Sequence, residues 1–233
     1  MNEKIVCTLS AAPMRREPSD KAEMVNQIVY GETAHVLDEN EKWYMIQLDH
    51  DQYEGWIDKK QVKVTEEVKS DTYPVRKIFE TREGKIIPCG GYINTNSNNP
   101  ENRIEAMNTL IDNFLGSPYL WGGRTFMGID CSGFTQIIFR SIGMDLPRDA
   151  YQQAEKGETI AFIEECAPGD LAFFDNADGR ITHVGIITDR DVQGRLQIAH
   201  ASGEVRKDYL DHQGIFNQDK GQYSHNLRLL KRL

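Results

Sequence analysis

The sequence is short of several features that would assign it quickly. No run approaches the ~18 consecutive apolar residues of a membrane-spanning helix, so a membrane protein built on such helices is excluded. Cysteine is scarce: Cys7, Cys89, Cys131 and Cys166 form no Cys-x-x-Cys pair, and no histidine stands beside them at zinc-ligand spacing. A structural metal site is therefore not expected. Four scattered thiols, in a chain long enough to bury its own core, point to a reducing compartment. Positive charge is in the minority, with 27 Lys and Arg against 36 Asp and Glu for a net charge of −9. Basic clusters such as Arg15-Arg16 and Lys231-Arg232 are too short to form a stripe, so nucleic acid is not an expected partner. The opening residues Met1-Asn2-Glu3-Lys4-Ile5-Val6 lack the basic start and ~7–15-residue apolar core of a secretory signal. A cytoplasmic location is expected, or the envelope if a leader has been removed.

What is present reads as two domains and a connector. Over residues 1–66, apolar and polar residues alternate in short runs at 5–9, 24–29, 34–38, 43–48 and 55–57, separated by turn residues. Five short strands in so few residues predict a small β-barrel. The ordered features Met14-Arg15-Arg16-Glu17-Pro18-Ser19, Val29-Tyr30-Gly31-Glu32, Trp43-Tyr44 and Gly55-Trp56-Ile57 resemble a bacterial SH3-like domain. Residues 67–99 form the connector, with strands expected near 75–79 and 85–88. Over 100–233 the pattern changes. Asn99 and Pro100 punctuate the start of a helix carrying Ile104, Met107, Leu110, Ile111, Phe114 and Leu115 at helical spacing. A second helix begins near Cys131, with Phe134, Ile137, Ile138 and Ile142 on one face and Gly143 as its stop. Strand-like runs follow at 170–174, 181–188, 195–200 and 226–230. Helices followed by antiparallel strands make an α+β domain.

Cys131 stands apart from the other thiols. In Gly128-Ile129-Asp130-Cys131-Ser132-Gly133 it opens a helix, where unpaired amides and partial positive charge stabilise a thiolate. A buried cysteine in a small-residue turn is the plain alternative. Two histidines weigh against it. If 181–188 and 195–200 form a hairpin with Thr188 opposite Arg195, His183 stands directly opposite His200 on one face. A base oriented by a third polar group is the recurring arrangement of activated nucleophiles.

Six motifs then occur in order: Tyr119-Leu120-Trp121-Gly122-Gly123, Asp130-Cys131-Ser132-Gly133, Pro147-Arg148-Asp149, Pro168-Gly169-Asp170-Leu171, His183-Val184-Gly185-Ile186 and Ile198-Ala199-His200-Ala201. Together they resemble the NlpC family of papain-like cysteine peptidases that cut bacterial cell-wall peptides. The resemblance implies Cys131 as nucleophile, His183 as general base and His200 as the residue orienting it. It also implies that the Tyr119 hydroxyl and the Cys131 amide stabilise the oxyanion. A thiolate–imidazolium pair would attack the amide carbonyl, His183 would protonate the leaving amine, and water would hydrolyse the thioester. No metal or cofactor is needed.

The pairing of domains resembles the subgroup that cleaves between D-glutamate and a diamino acid and requires a free N-terminal L-alanine, because the SH3-like domain closes the groove. The expected partners are peptidoglycan stem peptides. Candidate substrate-binding residues are Asp130, Ser132 and Asp149 beside or downstream of the nucleophile, and Glu17 and Tyr53 from barrel loops. Arg148 and Arg124 are candidates for substrate carboxylates, with a surface arginine as the plain alternative. Asp149 is equally an N-cap for a helix over 150–155. Ala150 departs from the subgroup, which often carries serine there, and removes one amine contact. The expected role is cell-wall recycling. The alternatives are an amidase or acyltransferase on the same fold, and a wall-binding module with a degenerate site.

Overall fold

The computed structural model describes residues 3–66, 73–74, 79–80, 84, 86–93 and 102–233. The N-terminal strands are β1 (Lys4–Val6), β2 (Ala11–Arg15), β3 (Met24–Val29), β4 (Thr33–Glu39), β5 (Trp43–Leu48), β6 (Glu54–Asp58) and β7 (Lys63–Thr65). They pair in the order β3-β2-β6-β5-β4-β1-β7 around a core that includes Ile5, Met14, Ile28, Val36, Ile46, Leu48 and Ile57. The alternation at 24–29 and 43–48 predicts β3 and β5 residue for residue. Strand β2 is hidden in the sequence by Pro13, which cannot donate to a ladder. It is accommodated because β2 meets β6 only at Arg15, opposite Trp56, leaving the rest of that side unpaired.

Four short connector strands follow: β8 (Tyr73–Pro74), β9 (Phe79–Glu80), β10 (Ile86–Ile87) and β11 (Tyr92–Ile93). β8 pairs with β11 and β9 with β10. Of the strand expected over 75–79, residues 75–78 lie outside the described residues. The Tyr92 amide donates to the Tyr30 carbonyl at 2.7 Å, which ties the connector to the barrel. Cys89 is buried in the core of the second domain.

That domain begins with α1 (Arg103–Phe114), and its N-cap is Asn102, whose side chain accepts the Glu105 amide at 3.2 Å. This corrects the expected start; Asn99 and Pro100 lie outside the described residues. After the β12–β13 pair (Arg124–Thr125 and Gly128–Ile129) comes α2 (Cys131–Ser141), then α3 (Ala150–Gln153). The remaining strands are β14 (Glu158–Ile160), β15 (Leu171–Asp175), β16 (Ile181–Arg190), β17 (Leu196–Ser202), β18 (Glu204–Leu210), β19 (Gly214–Asn217) and β20 (Gln222–Arg232). Their order is β14-β20-β15-β16-β17-β18-β19, and β19 also pairs with β20, closing the sheet on itself.

Alternation along these strands divides the apolar residues between two clusters. Phe173, Val184, Ile186, Ala199 and Ala201 pack with Phe134, Ile137 and Ile138 of α2. Phe174, Ile187, Ile198, Leu210 and Ile215 form a second cluster on the opposite face. Strands β18 and β19 escape the sequence reading because Glu204–Leu210 is mostly polar. All four cysteines are free, and Cys166 is half-buried rather than a core residue. Among the described residues, no helix is long and apolar enough to cross a membrane.

Candidate active site

Cys131 is the first residue of α2, and Asp130 is the N-cap. The Asp130 carboxylate accepts the Gly133 amide at 2.7 Å, the Gly122 amide at 2.8 Å, and two hydrogen bonds from Arg148 at 2.9 and 2.6 Å. The glycines of the Trp-Gly-Gly and Cys-Ser-Gly motifs follow from this crowding. Gly122 has φ +76°, and an added Cβ would lie 2.7 Å from the Met24 carbonyl oxygen; one at Gly133 would lie 2.4 Å from the Gly123 oxygen. The helix start is thereby fixed from three sides, and the thiol with it. Cys131 Sγ reaches the Thr182 carbonyl oxygen at 3.9 Å. Burial and the Asp130 carboxylate push the thiol up to about 12, against the help of the Val184 amide.

His183 and His200 come together, but not as the hairpin arithmetic predicts. Gly185, two residues along, stands opposite His200, because the hairpin continues to Arg190 opposite Leu196 and a bulge between Ile187 and Arg190 takes up one residue. A slip of two preserves the face of every side chain. His183 Nε2 therefore meets His200 Nδ1 diagonally, at 2.9 Å. Burial, then His200 and His225, hold His183 well below the ordinary histidine value. Burial therefore works against the charged forms of both partners in the expected thiolate–imidazolium pair. Among the described residues His183 Nδ1 has no hydrogen-bond partner and is open to take the thiol proton.

His225 of β20 is a neighbour the sequence did not disclose. Its ring stacks on His183 with centroids 4.1 Å apart and planes 18° apart. Ligating atoms of His183, His200 and His225 lie within 4.8 Å of one another. Nevertheless, an imidazole binds a metal in its own ring plane, along the nitrogen lone pair. Two stacked rings cannot share one ion without rotating, so this triplet as arranged is a packing group around the base.

A cleft of about 420 Å³ runs over Cys131, and both domains line it. Tyr119, Asp130, Ser132, Arg148, Asp149 and Ala150 contribute from the second domain; Tyr53, Val25 and Arg16 contribute from the barrel. Tyr119 is anchored by its amide to the Gly203 carbonyl at 2.9 Å and remains 37% exposed. Burial and Asp149 raise the Tyr53 hydroxyl to about 12. Asp149 is indeed the N-cap residue of α3, and burial raises its carboxyl.

Three expectations need correction. Glu17 is exposed and does not line the cleft; Arg16 does, paired to Glu23 at 2.9 Å. The β2–β3 register shifts between Met14 and Arg15, just before this loop. Arg148 is buried, not a surface arginine: it bonds Asn26 Oδ1 at 2.7 Å and Ser132 Oγ at 2.9 Å as well as Asp130. Arg124 is also buried, donating to both carboxylate oxygens of Glu32 at 3.0 and 2.9 Å, and is closed to substrate.

These arginines form the joint between the domains. Glu32 of the barrel receives Arg124 and Arg140 from the second domain, and His50 Nδ1 lies 3.6 Å away. Asp51 accepts from Gln136 of α2 at 2.8 Å, and Trp121 Nε1 donates to Glu23 at 2.8 Å. The joint thus combines buried contacts at Glu32 and Asp51 with an exposed one between Trp121 and Glu23.

A thiol at a helix N-terminus, set against a strand-borne histidine pair in an α+β domain, is the arrangement of a papain-like cysteine peptidase. The comparisons agree. Residues 116–223 match the NlpC/P60 family, and residues 14–62 match the bacterial dipeptidyl-peptidase Sh3 domain. A stretch of 75 residues, 31% of this chain, is 47% identical to the gamma-D-glutamyl-L-lysine dipeptidyl-peptidase of Bacillus subtilis (strain 168). That match spans only 25% of the relative's length. Over 110 residues, 46% of this chain, it is 37% identical to the probable endopeptidase NlpC of Escherichia coli (strain K12), covering 69% of that protein. The crystal structure of an NlpC/P60 family protein from Bacillus cereus ATCC 10987 superposes with a TM-score of 0.77 at 19% identity, over 98% of this chain and 99% of that one. The chain belongs to the NlpC/P60 family.

Proposed function

We propose that this protein is a cysteine peptidase that hydrolyses the amide bond between γ-linked D-glutamate and the diamino acid of peptidoglycan stem peptides. Cys131 is the nucleophile. His183 Nδ1 takes its proton as sulfur attacks the carbonyl, and the Cys131 amide with the Tyr119 hydroxyl receives the oxyanion. The proton then passes to the leaving amine, and water attacks the thioester with His183 as base.

The observation that carries the reading is the cleft over Cys131, whose lining includes Tyr53, Val25 and Arg16 of the barrel. In this reading the barrel closes one end of the cleft, which would favour a short peptide with a free terminus over a long chain passing through. The Asp149 carboxylate and Tyr53 hydroxyl suit the ammonium of L-alanine. Arg180, which lines the same cleft and forms no ion pair among the described residues, suits a substrate carboxylate. The product would be L-Ala-γ-D-Glu, consistent with a role in recycling imported wall fragments in the cytoplasm.

The test is incubation with L-Ala-γ-D-Glu-meso-diaminopimelate, its L-lysine counterpart and the N-acetylated form of each, with products followed by mass spectrometry. Cleavage confined to the free amines supports the closed-end reading. Equal cleavage of the acetylated peptides removes the ammonium role of Asp149 and Tyr53 while leaving the peptidase. Absence of cleavage in all four overturns the substrate assignment.

A further inference from the structure

His200 does not end the polar chain behind the base. On its far side, Nε2 lies 3.1 Å from Oδ2 of Asp208, a fully buried residue of β18. The same carboxylate accepts from Arg206 Nε at 2.6 Å and Nη2 at 3.0 Å, and from the Gln218 amide at 3.1 Å. Burial would raise its pKa, but the hydrogen bonds from His200 and Arg206 outweigh that and hold it at about 2. At neutral pH the group is ionised and can only accept.

The proton positions then follow in sequence. Facing an acceptor, His200 must carry its hydrogen on Nε2, and a neutral imidazole protonated there has a bare Nδ1. That bare nitrogen faces His183 Nε2 at 2.9 Å, so His183 must supply the hydrogen of that bond. Its one remaining lone pair is on Nδ1, the atom without a partner among the described residues. Without a fixed acceptor behind His200, the two rings can exchange donor and acceptor roles, and half of the resulting states block Nδ1 with a hydrogen. The distances alone do not choose between those states. The carboxylate does.

We propose that Asp208 is a positioning residue that sets the tautomers of both histidines, so that His183 offers Nδ1 to the Cys131 thiol as the base. The inference rests on the proposed roles of Cys131, His183 and His200, and not on the identity of the substrate. In the reaction the S–H bond breaks as the Nδ1–H bond forms, and the imidazolium keeps its Nε2–H bond to His200. Later the Nδ1 proton leaves with the amine. Asp208 gains and loses no proton. A purely structural role would be to neutralise Arg206, but Arg206 has a second partner, Asp219, at 2.8 Å.

The experiment is two-bond ¹H–¹⁵N correlation NMR on the full chain with labelled histidine at neutral pH, which reports each tautomer without any substrate. Nε2–H on both His183 and His200 is expected; Nδ1–H on His183 in the wild type overturns the proposal. In Asp208→Asn, His200 and His183 are expected to shift towards Nδ1–H. kcat should fall towards the ~10⁴-fold loss known when the acid behind a catalytic histidine becomes an amide, with KM little changed. Alkylation of Cys131 by iodoacetamide should slow in parallel. Unchanged tautomers together with activity that tracks only thermal stability would make Asp208 structural and refute the role. If the variant does not fold, the wild-type spectrum still decides. A wrong substrate assignment would abolish turnover but leave the spectra and alkylation rates as stated.

Discussion

Replacing Glu32 by glutamine perturbs the joint between the domains without altering any residue that lines the cleft. The carboxylate accepts the Val29 amide at 2.8 Å, Arg124 through both terminal nitrogens, and Arg140. Arg124 and Arg140 are at most 2% exposed, so neither guanidinium can recover hydration in the folded state. Removing one partner of a buried ion pair destabilises by about 3–5 kcal/mol. A second route gives a similar size. Opposing the burial that raises it, Arg124, His50 and Arg140 bring the Glu32 carboxyl from 4.5 to about 2, a difference that corresponds to roughly 3 kcal/mol. For a chain of this length, each kcal/mol moves the midpoint by about 2–4 °C, so Glu32→Gln should lower Tm by about 6–20 °C. Circular dichroism melts at pH 7.5 measure this directly. KM for the free-amine peptide should also rise, because Tyr53 and Arg16 hang on the displaced wall, whereas Cys131 alkylation should not change. The triple variant Glu32→Leu, Arg124→Leu, Arg140→Met removes all three charges together and should recover most of the loss. A midpoint for Glu32→Gln within 2 °C of wild type, roughly the smallest shift expected from 1 kcal/mol, would refute the claim that this pair locks the barrel in place.

Other outcomes follow from the same geometry. Tyr119→Phe should reduce kcat by ~10²–10³ with little change in KM or Tm, since it removes one oxyanion donor; an unchanged kcat would assign Tyr119 to packing alone. Iodoacetamide alkylation of Cys131 should rise steadily from pH 6 to 9, because burial pushes the thiol's pKa up. A rate plateau with a midpoint below pH 7 would show the ion pair instead. Stability should decline in two stages on acidification. His225 is held by burial and His200 at about 4 against an ordinary 6.5, so the unfolded chain gains protons that the folded one refuses as pH falls through that window. Glu32 and Asp208, held at about 2, stabilise the fold above the ordinary carboxylate range and lose that contribution as pH drops from about 4.5 towards 2. A Tm constant from pH 7 down to 3 would contradict both stages.

Much of the fold was legible where pattern and burial coincide. Strands β3 and β5 read to the residue, and α2 from its apolar spacing and Gly143, while its cap Asp130 emerges only in the structure. Legibility failed where a long-range fact decides a local one. Pro13 hides β2, whose free side only the sheet order reveals. The Glu204–Leu210 strand looks like a solvated loop until Asp208 and Arg206 are seen to face each other and His200. The histidine pair was found for a reason only half correct: the register was off by two, yet a period of two kept both rings on one face. Glu17 reads as a candidate from its loop alone, and nothing in the local sequence shows that Arg16 lines the cleft instead. Arg124 and Arg148 read as candidates for substrate carboxylates because no local pattern marks the buried partners that hold them, Glu32 and Asn26 in the barrel and Asp130 and Ser132 in their own domain.

The most direct test of the central claim is to trap the acyl-enzyme. Wild-type protein mixed with L-Ala-γ-D-Glu-meso-diaminopimelate and quenched in acid within milliseconds would be digested and mapped by mass spectrometry. The account predicts one L-Ala-γ-D-Glu acyl group as a thioester on the peptide containing Cys131, absent in Cys131→Ala and accumulating longer when His183 is replaced after acylation is bypassed with an activated ester. Turnover that survives in Cys131→Ala, or an acyl group carried on any other residue, would contradict it.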